Sequence, residues 1–265
     1  MKCVDTLYVH LENKIVMDII KYFDIDINTK EIISVVGGGG KTTTMFNLAF
    51  ELKRLNKRVL VTTTTAIYNP NRELYDNIVV LDDNKSIEDN WQKGTITVLG
   101  RCISTENKIL GVDGSFLNYV FSKSLFDFIL VEADGSKKKP IKAPDSHEPV
   151  IPSNTSKVIG IIGMDSLGKI IDEANVHRSE IFCDITNSSM GDIITEETIA
   201  RLIVSEVGLF KGTPIDSKKY LLLNKADTEL LMNKASLIGS MIKNKCYSIN
   251  GLLVGSMAQK RIRSI

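Results

Sequence analysis

The sequence predicts an α/β protein built on a three-layer, mostly parallel sheet with helices on both faces. Short, near-continuous apolar runs rich in Ile, Leu and Val alternate with longer amphipathic segments. This pattern is typical of buried parallel strands joined by crossover helices. The 265 residues, 43% of them hydrophobic, suffice for one sizeable core. We therefore expect residues 1–265 to form a single domain, with residues 1–29 as an N-terminal helical extension.

The predicted elements follow from hydrophobic spacing. Met45, Leu48, Ala49 and Leu52 have helical spacing and predict a helix over 42–55. Further helices are predicted over 12–23, 115–123, 196–207 and 228–243. Apolar runs predict strands over 32–36, 58–62, 77–81, 95–99, 126–131, 157–162, 220–223 and 252–254. The polar, proline-bearing stretch 134–155 is predicted to be a long functional loop.

Composition narrows the range of functions. Charge is nearly balanced, with 33 basic and 32 acidic residues, so we expect no nucleic-acid partner. The four cysteines include no Cys-x-x-Cys pair, which favours reduced thiols. No apolar run approaches the ~18 residues of a membrane span, and residues 1–14 do not resemble a signal peptide. The expectation is a cytoplasmic protein without a membrane partner.

A glycine run stands at the end of the first predicted strand, and Lys41 and Thr42 follow it. A strand, a glycine-rich turn and Lys-Thr at a helix start is the arrangement of a phosphate-binding loop, or P-loop. Glycine N–H groups donate hydrogen bonds to phosphate oxygens, and the partial positive charge of the helix N-terminus attracts them. Lys41 would reach the β and γ phosphates, and the Thr42 hydroxyl would bind Mg²⁺. The residues expected to hold the triphosphate are Gly37, Gly38, Gly39, Gly40, Lys41, Thr42 and Thr43.

The glycine loop departs from the usual P-loop pattern at one position. In G-x-x-x-x-G-K-[ST] the first glycine would stand at position 35, where this chain has Val35. The glycines inside the loop can supply the turn instead. The alternative interpretation is a flexible strand-to-helix turn with a solvated Lys41.

Acidic residues follow the apolar run that ends at Val131. A nucleotide site of this kind needs a carboxylate near its metal, at the carboxyl end of a nearby strand. In an E-x-x-G interpretation, Glu132 faces Mg²⁺ and the Gly135 N–H contacts the γ-phosphate. Asp134 is a competing metal ligand, or the residue that orients the attacking water. The predicted catalytic residues are therefore Lys41, Glu132 and Asp134, and the predicted metal ligands are Thr42, Glu132 and Asp134.

An N-K-x-D segment, Asn224, Lys225 and Asp227, ends the predicted strand over 220–223. The aspartate would accept two hydrogen bonds from guanine, a pair that adenine does not offer. Asn224 would brace the neighbouring loop, and the Lys225 stem would lie against the base. In the alternative interpretation, Asp227 only caps the following helix.

Lysines cluster just after the acidic residues, at Lys137, Lys138, Lys139 and Lys142. They either grip a second anion, such as a phosphate-bearing cofactor, or are simply solvated. His147 and the later His177-Arg178 pair are potential ligands or acid–base groups. A structural histidine is favoured for each, because no partner is visible in the sequence.

Several segments together resemble the YqeC family. They are GGGGKTTT, VTTTTAI, LVEADGSKKKPIKAPDSHEPVIP, the VIG…LG segment with VHR, and LLLNKADT, in this order over about residues 30 to 255. The resemblance implies an accessory role in maturing a selenium-dependent molybdenum hydroxylase or its cofactor. The glycine loop, E-x-x-G and N-K-x-D together are also similar to the metallochaperone GTPases of the dimerising (SIMIBI) P-loop class, which implies a possible homodimer.

The function expected from these features is binding and hydrolysis of a nucleoside triphosphate with Mg²⁺. GTP is the preferred nucleotide and ATP the alternative. The partner would be the client molybdenum hydroxylase or its cofactor. Two other functions stay open, and these are a small-molecule kinase or nucleotidyltransferase acting on a phosphorylated cofactor, and a non-catalytic cofactor carrier.

Overall fold

The computed structural model describes residues 18–81, 87, 91–243 and 248–265. The helix predicted over 12–23 begins outside these residues, and its described part is the short α1, Ile19–Tyr22. The other helices are α2 (Lys41–Arg54), α3 (Gly114–Ser122), α4 (Ser179–Thr186), α5 (Glu196–Val204) and α6 (Glu229–Lys243). The strands are β1 (Glu31–Gly37), β2 (Arg58–Thr63), β3 (Ala66–Tyr68), β4 (Asn77–Val80), β5 (Thr95–Gly100), β6 (Cys102–Ile103), β7 (Lys108–Leu110), β8 (Phe128–Glu132), β9 (Ile141–Lys142), β10 (Thr155–Gly163), β11 (Val176–His177), β12 (Lys218–Asn224), β13 (Ile249–Ser256) and β14 (Arg261–Ser264).

A large sheet organises the molecule. Among the described residues it has nine strands, in the order β14-β13-β12-β10-β1-β8-β2-β5-β4. Neighbouring strands in it are parallel, except that β14 runs antiparallel to β13. Strand β1 lies between β8 and β10, so the loop that follows it leaves the sheet near its centre.

Helices cover both faces of this sheet. Because side chains alternate along a strand, Ile33 and Val35 of β1 pack with α1 and α2. Val36 faces the other way, into the core formed with α4, α5 and α6. Ile32 joins a further cluster beneath α3. The predicted three-layer α/β fold is thereby confirmed. No helix in the described part of the chain has the length and apolarity to cross a membrane.

The predicted strands are all present, with shifted ends. The strand predicted over 252–254 is longer, because β13 continues back to Ile249 beside β12. The helix predicted over 196–207 ends at Val204, because Ser205 takes an extended conformation. The sequence reasoning missed β14, α4, the β9–β11 pair, and the small sheet in which β7 lies between β3 and β6. The two- and three-residue strands among these are too short to show alternating apolar and polar side chains.

The parallel strands end together at one edge of the sheet, which we call the carboxyl edge. Gly37, Glu132, Gly163 and Asn224 are the last residues of β1, β8, β10 and β12. The segment between β8 and β10 contains only the two-residue strand β9, which agrees with the predicted long loop over 134–155. The predicted site residues therefore meet at one edge because of the sheet topology alone.

Candidate functional site

The glycine loop is packed tightly against neighbouring backbone. Gly37 and Gly39 have positive φ values of 94° and 85°. A Cβ on Gly37 would lie 2.2 Å from the Ile161 oxygen, and one on Gly39 would lie 2.3 Å from the Gly163 nitrogen. Glycine is required at both positions because no larger residue fits, whether or not a ligand is present.

The N–H groups of this loop have two different uses. Gly37 donates to Asp134 Oδ2 at 3.0 Å, and Gly38 donates to a β10 carbonyl at 2.9 Å. Gly39 donates to the carbonyl of residue 139 at 3.1 Å. The expectation that these glycine N–H groups all point at phosphate is therefore wrong for this conformation. The groups that helix geometry leaves open are those of residues 40–43 at the start of α2, where Gly40 provides no side-chain cap.

Lys41 is buried, with 3% of its side chain exposed, and is surrounded by acceptors. Its Nζ donates to the Gly37 carbonyl at 2.7 Å and lies 3.0 Å from Asp134 Oδ1. Glu132 Oε1 is 3.6 Å away. Burial acts to lower the pKa of Lys41, but the Asp134 and Glu132 carboxylates outweigh it and raise that pKa. The solvated lysine of the alternative interpretation is therefore excluded.

Thr42 and Glu132 form the second half of this cluster. The Thr42 hydroxyl donates to Glu132 Oε2 at 2.9 Å. Burial raises the pKa of the Glu132 carboxyl, although the nearby Lys41 charge acts in the opposite direction. The structure thus brings together the lysine, the hydroxyl and the acid that the sequence predicted.

Asp134 connects the glycine loop to a buried row of alternating charges. Lys142 Nζ lies 3.1 Å from Asp134 Oδ2 and donates to Glu148 Oε2 at 2.6 Å. Glu148 in turn pairs with Arg178, the residue just before α4. Burial acts to raise the pKa of Glu148, but Arg178 and Lys142 outweigh it and lower that pKa to about 2.

The residues of N-K-x-D separate in the structure. Asn224 donates through Nδ2 to the Gly39 oxygen at 2.8 Å and accepts from the Met257 N–H at 2.9 Å, so it braces the loop as predicted. Lys225 pairs with Asp165 at 2.8 Å. Asp227 is exposed and does not line the cavity described next.

A cavity of about 1140 Å³ opens beside the glycine loop. The structure places most of the predicted site residues on its wall, but Asp134 is buried behind it. The predicted residues on the wall are Gly39, Gly40, Lys41, Thr42, Thr43, Glu132, Gly135 and Lys225. The remaining wall comes from residues 65–68 after β2, residues 136–139 after β8 and residues 177–181 at the start of α4, together with Lys108, Asp145, Glu148 and Glu173.

The donors at the glycine loop suit a small hard cation that keeps water and phosphate ligands. They are oxygen atoms of Thr42, Glu132 and Asp134. Asp134 Oδ1 is buried and accepts no aligned hydrogen bond from a described residue, although Lys41 Nζ is near. Within the described residues no group of three or more His, Cys, Asp or Glu forms a closed metal centre. Mg²⁺ held through a nucleotide fits this set, and a structural zinc does not.

The lysine run does not act as one cluster. Lys142 is buried between Asp134 and Glu148, and Lys139 donates to main-chain oxygens of residues 173 and 176. Lys138 Nζ lies 4.0 Å from the centre of an aromatic ring, that of Tyr68. The interpretation that all four lysines bind one anion is therefore wrong, since Lys142 forms ion pairs with Asp134 and Glu148.

The two histidines have different surroundings. His147 is exposed, whereas His177 is buried and lines the cavity. Arg178 and Glu148 were not predicted as a site pair, because thirty residues separate them in the chain. The only local signal was a histidine and an arginine side by side in an otherwise apolar and acidic region.

The central strand, the glycine loop with its buried lysine, and the acid on the adjacent strand define a three-layer α/β protein with the P-loop NTPase-like fold. More narrowly, the chain belongs to the YqeC family. The family model described as YqeC protein matches residues 33–180. The chain is also 32% identical over 198 residues to the Escherichia coli (strain K12) protein named "Uncharacterized protein YqeC", covering 73% of this chain and 75% of that protein.

The family match covers only part of the candidate site. Residues 33–180 include the glycine loop, both acids, Lys142, Glu148 and the start of α4. The N-K-x-D segment at 224–227 lies outside the residues that the family model matches. The family model therefore includes the glycine-loop side of the cavity and does not extend to N-K-x-D.

Proposed function

We propose that this protein binds a nucleoside triphosphate with Mg²⁺, prefers GTP, and hydrolyses it slowly. The observation that carries the proposal is the buried Lys41, held between two carboxylates at the carboxyl edge of a parallel sheet. A lysine ammonium buried at the mouth of a cavity is a positive charge that is in position before the ligand arrives. An incoming triphosphate can compete with the carboxylates for it.

The chain's own residues would divide the work as follows. The open N–H groups of residues 40–43 bind phosphate oxygens at the positive end of α2. Lys41 Nζ moves from the carboxylates to the β and γ phosphates. Thr42 and Glu132 orient the metal, which neutralises phosphate charge when bound. Asp134 positions the attacking water, and the Gly135 N–H donates to the γ-phosphate.

The family resemblance supports a client for this reaction. We propose that the client is a selenium-dependent molybdenum hydroxylase or its cofactor, and that hydrolysis changes the loop over residues 136–152. This loop carries Lys142 and Glu148, whose charges connect it to Asp134. Loss of the γ-phosphate beside Asp134 would change the electrostatic interactions along this row of ion pairs.

A second candidate function has one observation in its favour. The cavity extends well beyond the glycine loop, to the start of α4. A kinase or nucleotidyltransferase would use that space for an acceptor. Phosphate release without any added acceptor distinguishes hydrolysis from transfer.

The test is a nucleotide titration with GTP, ATP and CTP in the presence of Mg²⁺, followed by a phosphate-release assay. We expect GTP to bind most tightly and Lys41→Ala to abolish binding. Because Lys41→Ala removes the lysine charge from two buried carboxylates, Thr42→Val provides a second variant that keeps those ion pairs. It should reduce hydrolysis by about 10²-fold, whereas Lys169→Ala, at an exposed lysine, should not.

The titration can also overturn the proposal. If the folded wild type binds none of the three nucleotides with Mg²⁺, the glycine loop is a structural turn. If it binds one but releases no phosphate, a transferase or carrier function replaces the hydrolase.

A further inference from the structure

The cavity is slightly above the usual size range for a single drug-sized ligand. Sites for single drug-sized ligands typically measure about 300–1000 Å³, and this one measures about 1140 Å³. The glycine loop provides one part of its wall. Another part is formed by residues 177–181, which we call the α4 wall, with Lys137 beside it.

We infer that the α4 wall and Lys137 bind the phosphate group of a second small molecule, beside the nucleotide. This rests on the proposed function only in treating the glycine loop as the nucleotide part of the cavity. The ligand class is a small phosphate ester or free phosphate, recognised by the N–H groups that begin α4, by His177 and by Lys137.

The start of α4 is open toward the cavity. Its N-cap residue, Arg178, has left-handed backbone angles (φ 61°, ψ 60°) and makes no side-chain cap. Ser179, Glu180 and Ile181 all line the cavity. Their N–H groups belong to the first turn, where an α-helix provides no internal acceptor and favours an anion. Glu180, the acidic residue of this turn, is exposed to solvent.

His177 is the second, independent observation. Its side chain is about nine-tenths buried, with a relative exposure of 9%, yet it lines the cavity. Its ring nitrogens have no hydrogen-bond partner among the described residues. Burial lowers the pKa of His177 to about 4, and the Lys142 and Arg178 charges act in the same direction. The ring is therefore neutral near pH 7 and offers one N–H donor to a ligand in the cavity.

The cations around this wall differ in whether a carboxylate already balances their charge. Arg178 is held by Glu148 and by Asp145, whose Oδ2 lies 3.2 Å from Arg178 Nε, so its charge is already balanced. Lys137 lines the cavity and forms no ion pair with a described residue. His177 lines the same cavity, and the Lys137 charge acts to lower the pKa of that ring. Lys137 is thus the cation left to meet an anion at the α4 wall.

The neighbouring lysines hold the wall in place. Lys139 donates to main-chain oxygens of the segment just before His177, which ties the 136–139 segment to the α4 wall. Lys138 lies over the Tyr68 ring at the cavity margin. The segment that carries Lys137 is therefore held against the α4 wall before any ligand arrives, while the Lys137 side chain itself is exposed.

The experiment measures phosphate binding by ³¹P line broadening, with the nucleotide part saturated by a non-hydrolysable GTP analogue and Mg²⁺. The probes are inorganic phosphate and glycerol phosphate. We expect both to bind at saturating analogue. His177→Gln and Lys137→Ala should each weaken binding about tenfold, as loss of one hydrogen bond to a charged group implies. Lys169→Ala, at an exposed lysine away from the cavity, should leave it unchanged.

The outcomes separate this inference from the proposed function. Tighter binding of glycerol phosphate than of phosphate identifies an ester site, and equal binding identifies a free-phosphate site. If no nucleotide binds but phosphate still requires His177 and Lys137, the α4 site stands and the nucleotide proposal fails. Displacement of phosphate by the analogue, or equal broadening in the folded His177→Gln and Lys137→Ala variants, would overturn the inference.

Discussion

The two ends of the predicted nucleotide site are built in opposite ways. At the phosphate end, Lys41, Glu132 and Asp134 are buried and held by contacts of 2.7 to 3.6 Å. At the base end, Asp227 is exposed to solvent. Asn224 belongs with the first group, because its amide holds Gly39 in place. Two residues of one sequence motif therefore have different surroundings, since Asn224 holds the loop and Asp227 faces solvent.

The charged side chains at the phosphate end already pair with one another. Lys41 pairs with Asp134, and Asp134 also accepts from Gly37 and faces Lys142. If a triphosphate took Lys41 away, Asp134 would keep two partners and stay stable as an anion. Glu132 would keep only the Thr42 hydroxyl, so the ligand's competition for Lys41 would cost more at Glu132 than at Asp134.

The largest expected effect tests whether the buried charges stabilise the phosphate end. The pKa of Glu148 is lowered from its usual 4.5 to about 2, which corresponds to about 3 kcal/mol of folding free energy. A lowered carboxyl pKa contributes stability above pH 4.5 that is lost as the pH falls toward 2. We expect the free energy of unfolding to fall by about 3 kcal/mol more in wild type than in Glu148→Gln between pH 5 and pH 2.

Urea unfolding at several pH values measures this difference. Glu106→Gln is the matched control, since Glu106 pairs with Lys108 at the surface and a pair of that kind contributes little. Parallel pH profiles for wild type and Glu148→Gln would show that the row of ion pairs does not stabilise the fold.

Much of the phosphate end was predictable because its signals are local. A strand, glycines and Lys41-Thr42 lie next to one another in the chain, and the parallel register brings Glu132 to the same edge. The pairing of Glu148 with Arg178 was not predictable. It depends on β9 meeting β11, and two-residue strands have no visible period. The hydrogen bonds of the glycine N–H groups to protein acceptors also depend on distant backbone.

A smaller effect tests the assignment of Asn224 to the phosphate end. Asn224→Ala removes the hydrogen bonds to the Gly39 oxygen and the Met257 N–H. We expect a loss of about 1–3 kcal/mol of folding free energy and weaker binding of every nucleotide alike, because the loop loses its brace. Thermal unfolding and nucleotide titration measure the two effects. Asn233→Ala, at an exposed position in α6, is the control, and equal behaviour of the two variants would refute the bracing role.

The smallest effect on stability tests the base end. Asp227 is exposed, so Asp227→Asn should change the folding free energy by less than about 0.5 kcal/mol. If Asp227 accepts two hydrogen bonds from guanine, the substitution should weaken GTP binding about tenfold or more and leave ATP binding unchanged. Competition of GTP and ATP for the site measures that ratio directly. An unchanged ratio would remove the preference for guanine, while the proposal for the phosphate end would still stand on Lys41. Asp227 would then have no capping role either, because Thr228 Oγ1 accepts the Leu231 N–H at the start of α6.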